Sequence, residues 1–585
     1  MQTEALLEGR LHLNIEPHPA LATLENPYLG DQNRPYRILD LSYYRGYYYS
    51  YFGLGPIVVL TAPWRLLTGE FLTEPGATWI FLVAHAVVVA LLLRWLVRRH
   101  FDLGAGTEML AYAFLVFAPC TGVLLQGVNP GTVAQSGAYF FLTLGLYAGA
   151  RTAAAGPGAI RWLVLAATCC GGAIACRPSF APGMLLLAPA LLALISRNGN
   201  WRQAWRPWVA AGAPLTVIAV VLMIYNRARF DSLFEFGNRL QLTDHDYRTM
   251  RMFGGDFFAA HAGPFWVEPL KFITVFPFIL HRGAGLPAGL LWICPASVLA
   301  LGWWSLRRRP GAGSEWWHLL GFPLVFAGIW LFLSCYRLFL FHYQIDFMVP
   351  WVWVVVVGWF AATQRVVPLA TGRLFRFAAH SLVVASILAG MAYPAAVRGP
   401  AGQDSWMART ANRMAYACFA LLGQDYGALR LEVTPPHTPP EAGELWPLLS
   451  TGNEQQDVVY LEALENGKAR ITFFHTGAGS RRGQPFSIAP GRSFEVTLHL
   501  GSLLPEDDHP NFAHWSPAER FTARHRLKAE IGGETVLDAF AMFYPSTPQD
   551  VRVGEDPLSA SSADGPLSGA GATVGHLLAG AQRRH

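Results

Sequence analysis

The sequence predicts a polytopic α-helical membrane protein that carries an all-β sandwich domain near its C-terminal end. Of the 585 residues, 52% are hydrophobic and only 14% are charged, which is too apolar for a soluble globular protein. Apolar segments long enough to cross a bilayer recur up to about residue 395. From about residue 428 the hydrophobic pattern changes to the two-residue alternation that is typical of half-buried strands.

Ten apolar segments have roughly the 17–25 residues that a helix needs to cross a bilayer. These predicted spans lie near 77–97, 108–126, 134–150, 161–176, 179–196, 208–226, 288–305, 317–335, 346–363 and 377–394. A shorter apolar segment at 54–69 is interrupted by Pro56, Pro63 and Arg65. We interpret this segment as an interfacial helix that lies in the membrane surface.

The arginines between the spans predict the orientation of the bundle. Alternate connections hold fourteen of them: Arg94, Arg98, Arg99, Arg151, Arg161, Arg197, Arg202, Arg206, Arg307, Arg308, Arg309, Arg365, Arg373 and Arg376. The short connections on the other side hold only Arg177 and Arg337. The positive-inside rule makes the first set cytoplasmic, so the C-terminal domain is expected in the periplasm of a bacterial inner-membrane protein.

This orientation sets the expected domain organisation. Residues 1–76 form an outside loop, residues 77–395 form the helical bundle, and residues 227–287 form a long outside loop that is either a functional lid or a solvated linker. Because the first visible span runs inward, we expect one more span before residue 1, which makes eleven in the full-length protein. The resulting domains after the bundle are an amphipathic connector at 396–427, a β sandwich at 428–557 and a tail at 558–585.

Within the β domain, the alternation is clearest at Phe494–Leu500 and at Leu527–Ile531. Asn466-Gly467 and Gly532-Gly533 stand where tight hairpin turns are expected. The tail is rich in serine, alanine and glycine, and its composition is consistent with a last strand or with disorder. On pattern alone the domain resembles a laminin-G or concanavalin-like sandwich.

The stretch from Ile38 to Leu60 concentrates unusual residues for a loop. It contains Asp40, Arg45 and six tyrosines, followed by Gly53, Gly55 and Pro56. Tyrosine and arginine at this density are typical of the membrane–water boundary, so one interpretation is an aromatic belt in front of a helix. The alternative is that the stretch contributes to a functional site.

Four groups of polar residues are predicted at the outer ends of the spans, and this shared side favours a site there. They are Asp40 with Arg45, Arg177, Arg229 with Glu235, and the segment Arg337–Asp346 that includes His342. Guanidinium groups pair with phosphate oxygens, and a nearby carboxylate can accept a proton from an attacking hydroxyl. Each arginine taken singly fits snorkelling or helix capping equally well. Together they predict a site for a lipid-linked phosphate.

A resemblance supports this interpretation. Gly9-Arg-Leu, the segment from Asp40 to Pro56, the interfacial helix and a first span ending in Arg98-Arg99 resemble GT-C glycosyltransferases, most closely the branch of protein O-mannosyltransferases and lipid A aminoarabinose transferases. The resemblance covers about residues 1–395. It implies transfer of a sugar from a polyprenyl-phosphate donor on the outer face, with inversion at the anomeric carbon. The family's main aspartate would precede Met1, so Asp40 is either a second acid or a substitute base.

The resemblance implies a set of site residues and partners. Asp40 is the candidate base, and the candidate substrate-binding residues are Tyr43, Tyr44, Arg45, Arg177, Arg229, Glu235, Arg337, His342 and Asp346. The expected partners are the bilayer, a polyprenyl-phosphate-linked sugar donor and a glycan, lipid or protein acceptor, with no nucleic acid. Some relatives use a divalent metal, but no cofactor is required by the sequence.

Two other functions stay open from the sequence. The first is a non-catalytic, membrane-anchored protein that binds glycans or assists cell-envelope assembly, which the displaced catalytic aspartate favours. The second is a transporter or flippase, which is disfavoured because no predicted span carries an acid pair near the middle of the membrane.

Overall fold

The computed structural model of the chain describes most of the helical bundle and of the β domain. The described residues are 2–125, 128–154, 158–198, 205–269, 271–272, 279–280, 288–308, 319–366, 372–397, 410–411, 413–414, 427–435, 441–452, 456–475, 479–505, 512, 515–544, 546, 550–554 and 575–577. Internal contacts divide the chain into two compact units. One comprises Met1–Leu270 and His281–Arg398, and the other comprises Lys271–Leu280 and Gly399–His585.

Nine helices form the bundle within the described part of the first unit. They are α1 (Glu74–His100), α2 (Ala105–Phe117), α3 (Pro130–Ala154), α4 (Ala159–Cys176), α5 (Leu187–Asn198), α6 (Trp205–Phe230), α7 (Gly321–Ser334), α8 (Phe341–Val366) and α9 (Gly372–Val397). Shorter helical segments join or flank them: Gln2–Leu7, Ala20–Thr23, Gly30–Asn33, Ile57–Thr61, Ala62–Thr68, Thr121–Leu125, Pro178–Leu186, Asn238–Leu240, Gly255–His261, Pro264–Val267, Leu290–Ile293 and Pro295–Arg308.

Six of the helical segments in the described residues are long and apolar enough to cross a membrane. They are Glu74–His100, Ala159–Cys176, Pro178–Ser196, Trp205–Phe230, Phe341–Arg365 and Gly372–Tyr393. Each overlaps one of the ten predicted spans, so the prediction of a membrane-embedded helical protein is confirmed at this level. In the most apolar 18-residue stretch of α8, 94% of the residues are buried, so this helix occupies the centre of the bundle.

The other four predicted spans differ from the structure for local reasons. The segment at 108–126 breaks where α2 ends before Pro119, since a residue that precedes proline disfavours the helical conformation. The segment at 288–305 is a short helix followed by the 3₁₀-type helix Pro295–Arg308. In the segment at 317–335, α7 has only 14 residues. Helix α3 is long enough at 25 residues but carries buried polar side chains and is not among the six.

The two predicted outside loops fold together into one small unit, which we call the loop subdomain and define as residues 10–50 and 231–253. Strands β1 (Ser42–Tyr44) and β2 (Tyr47–Tyr49) form an antiparallel hairpin, with Arg45 and Gly46 at its turn. Both turn residues have positive φ, 49° and 81°, as a two-residue type I′ turn requires. Residues 42–49 of the aromatic stretch therefore form a hairpin, which the sequence did not predict, and the membrane-boundary position of these tyrosines stays a prediction.

The loop subdomain has its own core and a ladder between its two segments. The core consists of Leu13, Leu21, Tyr28, Tyr43, Tyr48 and Leu242. The amide of Leu242 donates to the carbonyl of Leu41 at 2.9 Å, and Ser42 pairs with Gln241 in an antiparallel bridge. The long loop also reaches the segment before α8, because the amide of Arg337 donates to the carbonyl of Met252 at 2.8 Å.

The second unit contains two antiparallel sheets that share one hydrophobic core, which confirms the predicted β-sheet region. Two short strands, β3 (Lys271–Phe272) and β4 (Ile279–Leu280), form a separate pair. The strands of the two sheets are β5 (Ala428–Val433), β6 (Leu445–Thr451), β7 (Asp457–Leu464), β8 (Lys468–His475), β9 (Gly479–Arg482), β10 (Phe486–Ser487), β11 (Phe494–His499), β12 (Arg526–Ile531), β13 (Glu534–Phe540), β14 (Arg552–Val553) and β15 (Gly575–Leu577). The sheet orders are β10-β8-β7-β6-β14, with β9 on β8, and β13-β12-β11-β5-β15.

Both predicted hairpin turns occur in this domain. Strand β7 turns into β8 through the short helical turn Glu465–Gly467, and β12 turns into β13 through Gly532 and Gly533. Within its described residues the domain also contains three short helices: Glu465–Gly467, Gly501–Leu503 and Pro517–Arg524. Part of the tail, Gly575–Leu577, pairs with β5 as a last strand. The predicted connector at 396–427 and the rest of the tail lie almost entirely outside the described residues.

Candidate functional site

A cavity of about 560 Å³ lies in the first unit between the helix ends and the loop subdomain, and we call it the central cavity. Its lining combines two arginines, Arg177 and Arg239, one acidic residue, Glu235, and the polar Asn238 and Ser179 with the phenols of Tyr51, Tyr336 and Tyr343. The remaining lining is largely apolar and includes Phe52, Phe234, Phe236, Met250, Met252, Phe253, Phe332 and Leu333. A ligand with an anionic head and an apolar chain would match this mixture.

One wall of the cavity is supported by four polar side chains that we call the buried polar cluster: Gln135, Tyr139, Arg177 and Asp346. Asp346 is fully buried, and its Oδ2 lies 3.1 Å from Nε of Arg177. The Oδ1 atom of Asp346 accepts from Nε2 of Gln135 at 2.7 Å and from the hydroxyl of Tyr139 at 3.1 Å. A buried carboxylate without such partners would be strongly destabilising, so the cluster satisfies a charge inside the bundle.

The backbone around Arg177 explains why its side chain reaches the cavity. Arg177 directly follows the last residue of α4, and its amide still caps that helix by donating to the carbonyl of Ala173 at 2.9 Å. Gly53 packs against this helix end so closely that a Cβ atom there would collide with the carbonyl oxygens of Ala175 and Cys176. The guanidinium of Arg177 also lies 5.3 Å from the ring centroid of Tyr343, a cation–π contact.

Asp40 has an unusual conformation for a loop carboxylate. Its φ is 65°, in the left-handed region, and its amide donates to the carbonyl of Leu242 at 3.3 Å. The residue is exposed, and no ion pair holds its side chain among the residues that the structure describes. Nearby protein atoms nevertheless displace part of the water around the Asp40 carboxyl, and this desolvation raises its pKa above the usual range. The positive charge of Arg37 partly offsets this effect.

Two tyrosines connect Asp40 electrostatically to predicted arginines. Burial raises the pKa of Tyr51, the negative charge of Asp40 raises it further, and Arg177 lowers it. Burial likewise raises the pKa of Tyr247, with Asp40 adding to the effect and Arg337 opposing it. Asp40 therefore influences both phenols, whereas Arg177 acts on Tyr51 and Arg337 acts on Tyr247. Asp40 and Arg337 are not among the residues that line the central cavity.

Other predicted site residues have structural partners. Tyr43 belongs to the core of the loop subdomain, while Tyr44 and Arg45 both contact Asp231, at 3.1 Å and 2.9 Å. Arg229 is buried and donates to the carbonyl of Ser50 at 2.7 Å and to Asn226 at 2.9 Å.

Two further predicted residues make hydrogen bonds in which one partner is a backbone group. Glu235 lines the cavity, but its Oε1 accepts from the amide of Gly237 at 2.6 Å and so shapes the following turn. The backbone carbonyl of His342 accepts from Gln135 at 2.8 Å, next to the buried polar cluster. These two contacts place both residues beside the cavity wall.

Four residues of the site were not predicted from the sequence: Gln135, Tyr139, Tyr51 and Arg239. Gln135 and Tyr139 stand one helical turn apart inside a predicted span, and a polar pair at that spacing was a usable signal for a buried partner. Arg239 is exposed, lines the cavity and donates to the carbonyl of Arg248 at 2.6 Å. Nothing in its local sequence separates it from the other loop arginines.

The described residues do not supply a metal-binding cluster, since no three histidine, cysteine, aspartate or glutamate side chains come together among them as ligands. We therefore assign no step to a metal ion. A scan of protein-family models, a search of curated proteins and a search of solved structures each found no match to this chain. The site can thus be interpreted only from its own chemistry.

Proposed function

We propose that this protein is a membrane glycosyltransferase of the GT-C type, which moves a sugar from a polyprenyl-phosphate donor to a glycan, lipid or protein acceptor. The observation that carries the proposal is the central cavity, whose lining joins two arginines and one glutamate to a largely apolar surface within a bundle of membrane-length helices. A polyprenyl phosphate has the matching chemistry, with an anionic head and a long hydrocarbon chain. Guanidinium groups are well suited to hold its phosphate oxygens.

In the proposed reaction the acceptor hydroxyl attacks the anomeric carbon of the donor sugar. Asp40 takes the hydroxyl proton as the new carbon–oxygen bond forms, and its raised pKa favours this role as a base. The old bond breaks, and polyprenyl phosphate leaves with the electron pair, which inverts the anomeric carbon. Arg177 and Arg239, with Arg337 nearby, hold the phosphate and stabilise its growing negative charge.

The proposal also includes the finer topology. About ten spans would place the loop subdomain and the β domain on the periplasmic side of a bacterial inner membrane, with the arginine-rich connections in the cytoplasm. This arrangement would present the central cavity to the leaflet in which periplasmic sugar donors reside. Reactivity of single introduced cysteines toward a membrane-impermeant reagent would test it.

The experiment that tests the proposal is a transfer assay with the full chain in membranes and a panel of radiolabelled polyprenyl-phosphate sugars. We expect Asp40→Asn to lower turnover by about 10²–10⁴-fold without abolishing donor binding. We expect Arg239→Gln to weaken donor binding about tenfold or more. Arg34→Gln, which removes an exposed charge of the loop subdomain that does not line the cavity, is the matched control.

One observation favours a second function. Asp40 does not line the central cavity, so a bound donor would have to approach it through Tyr51 or after a movement of the loops. A membrane-anchored glycan-binding or envelope-assembly protein would need no base at all. Retained donor binding with no turnover of any donor would favour this second function, whereas turnover that survives Asp40→Asn would place the base elsewhere.

A further inference from the structure

A second concave site lies at the other end of α8 from the buried polar cluster, and we call it the basic groove. It has a volume of about 540 Å³, and its lining comprises Val97, Arg98, Arg99, His100, Phe101, Asp102, Leu103 and Gln364. Gln364 follows Asp346 by eighteen positions on one helix, which separates the two sites by about 27 Å at 1.5 Å per residue. The groove is therefore independent of the central cavity and of the function proposed for it.

The charges of the basic groove favour an anion. Arg98 and Arg99 are exposed, and no carboxylate pairs with either one in the described part of the chain. Asp102 offsets one of these two charges, which leaves one net positive charge when His100 is neutral. The carbonyl ends of α1 and α8 each add about half a negative charge, and Arg365, the exposed residue that follows Gln364, adds a positive one, so the groove stays cationic. Gln364 offers an amide donor beside the arginines.

The location of the groove identifies the source of the anion. It is built where α1 and α8 end, and both helices have the length and apolarity of membrane spans, so it lies at the level of lipid headgroups. Basic pockets between the ends of membrane helices bind anionic headgroups, and arginine matches phosphate oxygens with paired donors. A phosphodiester carries a single negative charge, which complements the single net charge of the lining.

We propose that the basic groove binds the phosphodiester headgroup of an anionic phospholipid. Arg98 and Arg99 hold the phosphate oxygens, Gln364 donates to the headgroup, and Asp102 limits the charge so that a monoanion is preferred to a dianion. The lipid would occupy this groove whether or not a donor occupies the central cavity.

Native mass spectrometry of the purified full chain in detergent tests the proposal with phosphatidylglycerol and phosphatidylcholine as probes. We expect retention of phosphatidylglycerol but not of phosphatidylcholine. The double variant Arg98→Gln/Arg99→Gln should bind phosphatidylglycerol about thirtyfold more weakly. The matched control is Arg373→Gln/Arg376→Gln, which removes the same charge from two exposed arginines outside the groove and should leave binding unchanged.

A gain-of-binding variant separates the proposal from simple misfolding. Asp102→Asn removes the opposing carboxylate and should bind phosphatidylglycerol about fivefold more tightly, an effect that a damaged fold would not produce. Equal losses in both arginine pairs would overturn the proposal in favour of a general charge effect. Displacement of phosphatidylglycerol by inorganic phosphate at comparable concentration would overturn the lipid as the source of the anion.

Discussion

The buried polar cluster and the loop subdomain both border the central cavity, but different interactions hold them together. The cluster relies on one ion pair, Arg177–Asp346, in which the carboxylate is fully buried and the arginine side chain is only 19% exposed. The ion pairs of the loop subdomain, such as Arg34–Asp244 and Arg248–Asp246, include partners that face solvent. Removing one partner of a buried ion pair strongly lowers stability, whereas the attraction in an exposed pair is weakened by water and salt. The cluster should therefore be the rigid side of the cavity and the loop subdomain the adjustable side.

The largest effect is expected from breaking the buried pair. Asp346→Ala leaves the Arg177 guanidinium without its carboxylate and should lower the free energy of unfolding by about 3–5 kcal/mol. The double variant Arg177→Met/Asp346→Leu removes both charges and should recover much of this loss, since Gln135 and Tyr139 keep their mutual hydrogen bond of 2.7 Å. Reversible unfolding of the purified chain in mixed detergent micelles measures both. A double variant as unstable as Asp346→Ala would contradict the argument.

The same two regions show what the sequence could predict. Hydrophobic length and period identified six membrane-length helices and the β domain, because these features depend on neighbouring residues along the chain. Arg177 and Asp346 were both selected as charged residues at helix ends, but their pairing was not predicted. They lie far apart in sequence, and only the packing of α4 against its neighbours brings them together.

Local pattern left the structure of the tyrosine-rich stretch open in the loop subdomain. The tyrosines from Tyr43 to Tyr49 match the composition of an interfacial belt as well as that of a strand, so composition alone could not decide between them. What decides is the pairing with residues 241–242 of a distant loop, together with the positive φ at Arg45 and Gly46. The consequence is that Tyr43, Tyr44 and Arg45, selected as substrate-binding residues, have structural partners here.

Two glycine substitutions sharpen the comparison at the level of the backbone. Gly53→Ala introduces a Cβ that collides with carbonyl oxygens at the end of α4, beside Arg177, and should cost about 1–3 kcal/mol. Gly46→Ala at the hairpin turn meets open space and suffers only from its positive φ, so it should cost about 1 kcal/mol. Unfolding in the same micelles compares them. A larger loss for Gly46→Ala would contradict the view that the cluster side is the rigid one.

Acid should loosen the loop subdomain selectively. Hydrogen bonds from Arg248 lower the pKa of Asp246 to about 2, so this carboxylate stabilises the fold above about pH 4 and loses that contribution as the pH falls toward 2. Because the Arg248 side chain is partly exposed, we expect a loss of about 1–2 kcal/mol. Hydrogen exchange at the Leu242 amide, corrected for the intrinsic effect of pH, should accelerate over this range.

Asp246→Asn is the control for the acid experiment. This variant should already exchange faster at pH 7 and should change less between pH 4 and 2, with the remainder coming from Asp244, whose pKa is lowered by Arg37 and Arg34. An unchanged pH profile in Asp246→Asn would show that other carboxylates control the loop subdomain.

The smallest effect is expected from the exposed pair at the hairpin turn. Arg45→Asn removes the ion pair with Asp231, whose two side chains are 71% and 43% exposed, while asparagine tolerates the positive φ at this position. The cost should be about 0.2–1 kcal/mol at low salt and should largely disappear at 1 M salt, where the screening length is about 3 Å. Exchange rates of the hairpin amides measure this difference. A loss that persists at high salt would show that Arg45 stabilises the hairpin through packing on Tyr44, whose ring centroid lies 5.4 Å from the guanidinium.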